Sequence, residues 1–104
     1  MEDLRIEATK HSPEILGSIG SNSLSIQGRS QMEDASSFYA PVYKWIESAA
    51  AGPLKRIVFE IDLQYFNSSS SKQILKFLIY AEESDTEVKV NWYYPEGNDL
   101  LKDR

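Results

Sequence analysis

The stretch LKRIVFEIDLQYFNSSSSKQILKFLIYAEES, residues 54–84, carries the strongest structural pattern in the sequence. Its first part, residues 54–66, alternates an apolar set with a more polar set, as a β-strand does. The apolar set is Ile57, Phe59, Ile61, Leu63 and Tyr65. Its last part, residues 72–84, repeats apolar residues at spacings of three and four, which is typical of a helix. A mostly apolar strand that leads directly into a helix is expected at the centre of a sheet with helices packed on it.

The N-terminal third of the chain shows the pattern of short strands. Residues 4–8 alternate apolar and charged side chains, and in residues 12–18 Pro13 suits the start of a short edge strand. A turn at residues 20–22 leads into a further alternating segment up to residue 30. Together these patterns predict an N-terminal hairpin or a small meander.

A long helix is predicted between this meander and the central strand. Apolar residues recur at helical spacing from Asp34 to Ala51, and the following Gly52-Pro53 pair ends the pattern. Pro41 either sits in the first turns with a kink or marks where the regular helix begins. Residues 86–94 alternate again as a last strand, and residues 95–104 could begin a last helix.

The predicted order is therefore β-β-β-α-β-α-β in a single domain covering residues 1–104. The two strand–helix–strand crossovers should be right-handed and should make their strands parallel neighbours. The fold class is α/β, with a small mixed β-sheet flanked by helices.

Composition excludes several function classes. The 104 residues carry a formal net charge of −5, so a phosphate backbone would be repelled, and we expect no nucleic-acid partner. No cysteine is present, which excludes disulfides and thiolate sites. The N-terminus lacks the pattern of a signal peptide, and no apolar run reaches the length of a membrane helix. We expect a cytoplasmic protein with no membrane contact.

The sequence offers no catalytic or metal-binding constellation. His11 is the single histidine, and no G-x-S-x-G elbow surrounds any serine. Glu60 and Asp62 share one face of the central strand, which we interpret as a polar sheet face. A hydrolase using Ser68 with Asp62 or His11 would lack a base placed beside the serine. We therefore predict no enzyme activity, no metal and no cofactor.

The serine run, residues 68–71, stands where a strand ends and a helix begins. Asn67, Ser68 or Ser69 can cap that helix, because their side-chain oxygens accept from its free backbone N–H groups. The same position favours negative charge, and Lys72 lies one turn into the helix. A phosphoryl group on a serine here would add roughly −1.5 to −2 charges that a docked partner would meet.

Four segments resemble the SiaC family of bacterial regulatory phosphoproteins. FEIDLQYFNSSSSKQIL is similar to the family segment that reads YFN-Thr/Ser-SSSK, and IEATKHSPEI is similar to its N-terminal strand and T-K-x-T/S-P-E turn. SIQGRSQMEDASSFYAPVYKWIE looks like its I-x-G-x-S…F-Y-x-P…W helix region, and VNWYYPEGNDL looks like its V-x-W-Y-Y strand. The four occur in the same order and cover residues 4–100. Family members commonly continue through a terminal helix beyond the position of Arg104, so partner recognition is expected to differ if that helix contacts partners.

This resemblance implies a fold similar to anti-anti-sigma factors, the STAS-type domains, and a phosphorylated residue at Ser68. It further implies a partner kinase of the anti-sigma-factor type and a PP2C-like phosphatase that reverses the reaction. In the best-known branch the unphosphorylated form binds and activates a diguanylate cyclase, which links the switch to cyclic-di-GMP and biofilm formation. The alternative output is that of an anti-anti-sigma factor, which controls a sigma factor through an anti-sigma kinase.

The family position often holds threonine, and here Ser69 or Ser70 could replace Ser68 as the acceptor. We expect the partner-contact residues to adjoin the switch or to match the N-terminal family motif. They are Thr9, Lys10, Ser12, Glu14, Tyr65, Phe66, Asn67, Ser69, Ser70 and Lys72. Tyr65 is in phase with the apolar face and is expected in the core more than Phe66 is. Both tryptophans are expected in the core, and the free protein is expected to be a monomer.

Overall fold

The structure is a computed structural model, and it describes residues 1–93. These residues form five strands and two helices, which confirms the predicted order β-β-β-α-β-α-β. In chain order the elements are β1 (Leu4–Ile6), β2 (Glu14–Ser18), β3 (Ser23–Ser30), α1 (Ala35–Ala51), β4 (Arg56–Phe66), α2 (Ser68–Glu83) and β5 (Glu87–Tyr93). The tail at residues 95–104, where a last helix could begin, lies outside the described part of the chain.

The five strands form one mixed sheet in the order β1-β2-β3-β4-β5. The first three strands are an antiparallel meander, because each follows the previous one through a short connection. The next two are parallel to their neighbours, with α1 joining β3 to β4 and α2 joining β4 to β5. This arrangement confirms the meander and the parallel neighbours that the sequence predicts.

The core lies between the sheet and the two helices, which pack against one another. Along β4 the residues Ile57, Phe59, Ile61 and Leu63 are buried, and the alternate residues are half-buried or exposed. From α2, the Phe77 ring lies 6.0 Å from the Phe59 ring, centroid to centroid. One face of β4, an interior strand between β3 and β5, therefore carries the hydrophobic core, as its alternation predicts.

An irregularity in the β3–β4 register changes the outcome for Tyr65. Gly28 pairs with Leu63, but the next residue, Arg29, pairs with Tyr65, so β4 holds one extra residue at this point. Gly28 has a φ of 125°, a conformation that favours glycine. After the irregularity Tyr65 is 46% exposed, and the Arg29 guanidinium lies 5.6 Å from its ring centroid. The expectation that Tyr65 is a core residue is wrong, because the bulge breaks the alternation.

Each helix begins at a residue that caps it. Asp34 precedes α1 and accepts hydrogen bonds from the Ser37 hydroxyl and backbone N–H. These bonds hold the pKa of the Asp34 carboxyl below its ordinary value. Gly52 ends α1 as predicted, and Pro41 lies inside it rather than at its start. Since proline has no N–H, α1 lacks one internal hydrogen bond on this exposed side.

Neither α1 nor α2 has the length and apolarity that crossing a membrane would require, and no other helix occurs in residues 1–93.

Candidate functional site

The predicted switch lies at the edge of the sheet where β3 and β4 both end. β3 ends at Ser30 and β4 ends at Phe66, and these two residues are paired across the strands. Asn67 follows directly and caps α2, so the serine run forms the first turn of that helix. The strand therefore enters the helix without any intervening linker.

The backbone N–H and the side chain of Asn67 make three hydrogen bonds. Its backbone N–H donates to the Ser30 carbonyl at 3.1 Å. Its side-chain Oδ1 accepts from the backbone N–H of Ser70 at 2.9 Å, which is the helix cap. Its side-chain Nδ2 donates to the Met32 carbonyl at 3.1 Å. Both ends of the Asn67 amide are therefore engaged within the chain, and the residue has a structural role that we predicted only in part.

Beneath the first turn of α2, three buried hydroxyl groups form a chain that we call the hydroxyl chain. The Ser70 hydroxyl donates to the Ser30 carbonyl at 3.0 Å, and the Ser30 hydroxyl donates to Ser70 Oγ at 2.6 Å. Because the Ser30 proton is thus used, the Tyr39 hydroxyl, 2.7 Å away, donates to Ser30 Oγ. None of the three residues is more than 1% exposed. The hydroxyl chain therefore connects β3, α1 and α2.

Burial makes the Tyr39 hydroxyl hard to ionise. Removing the phenol from water disfavours its charged form and raises its pKa to about 12, although the bond with Ser30 acts in the opposite direction. Tyr39 therefore remains a neutral hydrogen-bond donor across the physiological pH range. The Tyr39 ring also contacts the Phe38 and Phe77 rings, which fixes its position.

The four serines of the run differ sharply in environment. Ser68 and Ser69 are exposed, Ser70 is fully buried, and Ser71 is half-buried with its hydroxyl donating to the Ser68 carbonyl at 2.9 Å. Ser70 can neither reach a partner surface nor accept a phosphoryl group while the helix is intact. Its burial does not favour the predicted roles as a partner contact and as an alternative acceptor, because its side chain points into the core.

The electrostatics of this end of α2 favour an anion. The first turn contains no acidic residue, and the exposed Lys72 lies four residues after Ser68, on the same side of the helix. Helix N-termini carry N–H groups without intrahelical partners and a partial positive charge. A negative group on Ser68 would thus meet favourable charge locally.

The loop between β1 and β2 reaches the same edge of the sheet. The Thr9 N–H donates to the Ser12 carbonyl at 2.9 Å and closes a turn, and the Gln31 N–H donates to the His11 carbonyl at 3.0 Å. Gln31 precedes Met32, whose carbonyl holds Asn67. The structure therefore brings the two sequence motifs close together, although they lie more than 50 residues apart along the chain.

The motif residues of this loop differ in accessibility. Thr9 and Lys10 are exposed and Glu14 is half-buried, but Ser12 is only 8% exposed and bonds to the Thr9 hydroxyl at 2.5 Å. The expectation of a partner contact therefore fits Thr9 and Lys10. Ser12 instead stabilises the turn.

An open apolar groove runs beside α2 on the side of β5. Its volume is about 560 Å³, and Phe66 and Trp92 form its end nearest the serine run, with their ring centroids 5.7 Å apart. Leu75 and Ile79 on α2 are each about half exposed along its wall. Trp92 is thus half-buried rather than a core residue, whereas Trp45 is in the core as predicted, at 7% exposed.

Ser30, Tyr39 and the Met32 carbonyl are the site groups that the sequence did not reveal. Each belongs to β3, α1 or the loop between them, and none stands near the serine run in the chain. A single serine at the end of a strand belongs to no sequence pattern that would mark it as part of a site. Among residues 1–93 no three histidine, aspartate or glutamate side chains are grouped so that they could hold a metal ion.

Comparison with known proteins gives a consistent result. A family model described as SiaC family regulatory phosphoprotein matches residues 6–104. An uncharacterised protein of Pseudomonas aeruginosa (strain UCBPP-PA14) is 31% identical over 97% of this chain and 82% of its own length.

The solved structures agree in fold. The crystal structure of apo-SiaC from Pseudomonas aeruginosa superimposes with a TM-score of 0.83 and 28% identity, over 98% of this chain and 86% of that one. A chain from the crystal structure of diguanylate cyclase SiaD in complex with its activator SiaC, also from Pseudomonas aeruginosa, superimposes with a TM-score of 0.86 and 28% identity. That match covers 97% of this chain and 85% of the other.

Proposed function

Because this chain belongs to the SiaC family of regulatory phosphoproteins, we propose that it is a signalling switch reversibly phosphorylated on Ser68. Membership makes it a regulatory protein and not an enzyme. The proposed switch is a single domain over residues 1–104 that acts in the cytoplasm.

The observation that supports Ser68 most directly is its position. It is the first residue of α2, it is exposed, and the hydroxyl two residues later is fully buried. A kinase needs an accessible hydroxyl that can enter its active site, and among the four serines only Ser68 and Ser69 are exposed. The family resemblance selects Ser68 of these two, because it follows Asn67.

A phosphoryl group on Ser68 would be read by a partner rather than by refolding of the domain. It would bring roughly −1.5 to −2 charges to a helix N-terminus that tolerates negative charge. The cap by Asn67 and the hydroxyl chain lie on the buried side of the same turn, so the modification leaves them intact. A partner docked over Ser68 would instead have to accommodate a new, strongly hydrated dianion.

We propose that the unphosphorylated form binds and regulates an effector such as a diguanylate cyclase. The complex of Pseudomonas aeruginosa SiaC with diguanylate cyclase SiaD, in which SiaC is the activator, supports this class of effector. The kinase is proposed to be of the anti-sigma-factor type and the phosphatase to be PP2C-like, on the strength of the family resemblance.

The partner surface is proposed to surround Ser68 on the exposed edge of the sheet. The accessible members of the predicted set are Thr9, Lys10, Tyr65, Ser69 and Lys72. They belong to the β1–β2 loop, the end of β4 and the first turns of α2, which meet at this edge.

Phosphorylation by the cognate kinase, taken from the neighbouring genes, tests the proposal. After incubation with ATP, mass spectrometry of the tryptic peptide covering residues 57–72 should show one phosphate on Ser68. Ser68→Ala should abolish it and Ser69→Ala should retain it. An unmodified peptide, or a phosphate that survives Ser68→Ala, would refute the assignment.

A further inference from the structure

The hydroxyl chain makes the four serines of the run structurally different from one another, which their sequence alone does not show. We propose that Ser70, held by Ser30 and Tyr39, is a positioning residue that restricts phosphorylation to Ser68. This inference rests on the proposed phosphorylation of the run. It adds a mechanism by which one of several adjacent, chemically identical hydroxyls is selected.

Selection is needed because the sequence offers four serine hydroxyls in a row, of which both Ser68 and Ser69 are exposed. In an unfolded or frayed turn, neighbouring serines could enter a kinase active site in several registers. Helix ends fray readily, since the first turn has few internal hydrogen bonds. An interaction that keeps this turn folded would hold Ser68 in a single fixed position.

Ser70 extends the buried stripe of α2 into its first turn. The buried residues Ser70, Ile74, Phe77 and Ala81 follow one another at spacings of four, three and four. Successive helical residues are rotated by about 100°, so Ser68 lies about 200° from Ser70 and points away from the core. Anchoring Ser70 inward therefore directs Ser68 outward.

The buried contacts at position 70 require a side chain with a hydroxyl group. Ser70 occupies a fully buried position facing the Ser30 carbonyl and hydroxyl, with the Tyr39 hydroxyl beyond them. An apolar side chain there would remove the bond between the Ser30 and Ser70 hydroxyls and the bond from Ser70 to the Ser30 carbonyl, and the loss of buried hydrogen bonds is destabilising. The Ser30 carbonyl also accepts the Asn67 N–H, so one residue of β3 holds both ends of the turn.

The test compares Ser70→Ala with two controls, using the cognate kinase and ATP. Ser71→Ala removes a hydroxyl of the same run that lies outside the hydroxyl chain. Gly17→Ala, in β2, weakens the fold at a distance from α2, because a Cβ there would meet the Trp45 ring. Site-resolved mass spectrometry reports where the phosphate is placed, and hydrogen exchange reports how often the first turn opens.

We expect Ser70→Ala to accelerate amide exchange at residues 70 and 71 by about tenfold and to place about a tenth of the phosphate on Ser69. Both controls should keep the phosphate on Ser68 alone. Ser30→Ala should have the same effect as Ser70→Ala, which provides a second route should the first variant fold poorly.

Two results would overturn the inference while leaving the proposed function standing. One is phosphate on Ser68 alone in both Ser70→Ala and Ser30→Ala. The other is an equal spread of phosphate in Gly17→Ala, because then general instability would explain it. If the wild-type protein takes up no phosphate in residues 57–72, the proposed function is itself refuted, and the inference that rests on it is refuted too.

Discussion

Ser30 and Ser70 are 40 residues apart in the chain, and their hydroxyl oxygens lie 2.6 Å from each other beneath the first turn of α2. The contact joins the end of β3 to the helix that follows β4. It connects two different strand–helix units at the edge of the sheet where Ser68 is exposed. The surface proposed to bind partners therefore lies above the buried hydrogen bonds of the hydroxyl chain. The following predictions test these buried polar contacts and the surface above them.

Asn67→Asp is expected to destabilise the protein by about 1–2 kcal/mol, although aspartate caps helices as well as asparagine does. The substitution keeps the oxygen that accepts from Ser70 but replaces the nitrogen that donates to the Met32 carbonyl. A carboxylate oxygen would then face a carbonyl oxygen. Urea denaturation monitored by circular dichroism measures the change.

Asp34→Asn is the matched control for that substitution. Asp34 caps α1, and its second oxygen bonds only to the Ser37 hydroxyl, which can reverse its direction and accept. The urea midpoint should therefore change much less. Equal losses in both variants would contradict the role assigned to the Met32 contact.

Gly17→Ala should lower the free energy of unfolding by about 1–3 kcal/mol. A Cβ at residue 17 would lie 2.9 Å from two carbons of the Trp45 ring, which is buried and cannot withdraw easily. Gly20→Ala provides the comparison, because nothing lies within 4 Å of a Cβ built there. Thermal and urea unfolding should separate the two variants clearly, and similar stabilities would show that the sheet yields to the added methyl group.

Stability should decline between about pH 10 and pH 12 through the ionisation of Tyr39. Its pKa is near 10 in the unfolded chain and about 12 in the folded protein, so the folded state holds the proton more tightly. The stabilising effect is complete below pH 10 and is lost as the pH rises through 12, by about 2–3 kcal/mol.

Tyr39→Phe isolates this contribution. The variant should be about 1 kcal/mol less stable at neutral pH, since the Ser30 hydroxyl loses a donor. It should also lose less stability than the wild-type protein when urea midpoints at pH 8 and pH 11 are compared. Parallel losses in the two proteins would mean that other groups cause the alkaline decline.

Ser68→Asp is expected to weaken effector binding by about tenfold while leaving the fold at least as stable. The new carboxylate stands at the N-terminus of α2, where negative charge contributes about 0.3–1 kcal/mol of stability. It carries less charge and fewer acceptors than a phosphate, so the loss of binding should be partial. Calorimetry with the effector, compared with Ser68→Ala, separates the charge from the loss of the hydroxyl.

The direction of the two effects makes this prediction decisive. A protein that is more stable but binds less tightly has lost affinity through the interface and not through unfolding. Unchanged affinity in Ser68→Asp, together with equal binding of the phosphorylated protein, would contradict the switch.

Much of the fold followed from periodicity, which is a local property of the chain. The alternation along β4 and the helical spacing of α1 and α2 reflect which side chains must leave water, so element types and their order could be predicted. Capping at the start of α2 was also readable, because the side chains able to cap are adjacent to the turn they serve. The tryptophans were only half predictable, since Trp92 faces an open groove instead of a second layer.

The sequence by itself determined that a strand enters a helix at the serine run, and that negative charge would be tolerated there. Only the tertiary structure decided that Ser70 is buried against Ser30, that Ser68 is outward, and that Tyr65 leaves the core after the β3–β4 irregularity. Those outcomes depend on the register between segments far apart in the chain. Periodicity reports which face of an element is apolar, whereas the hydrogen-bond partner beneath a given serine is set by the packing of three separate elements.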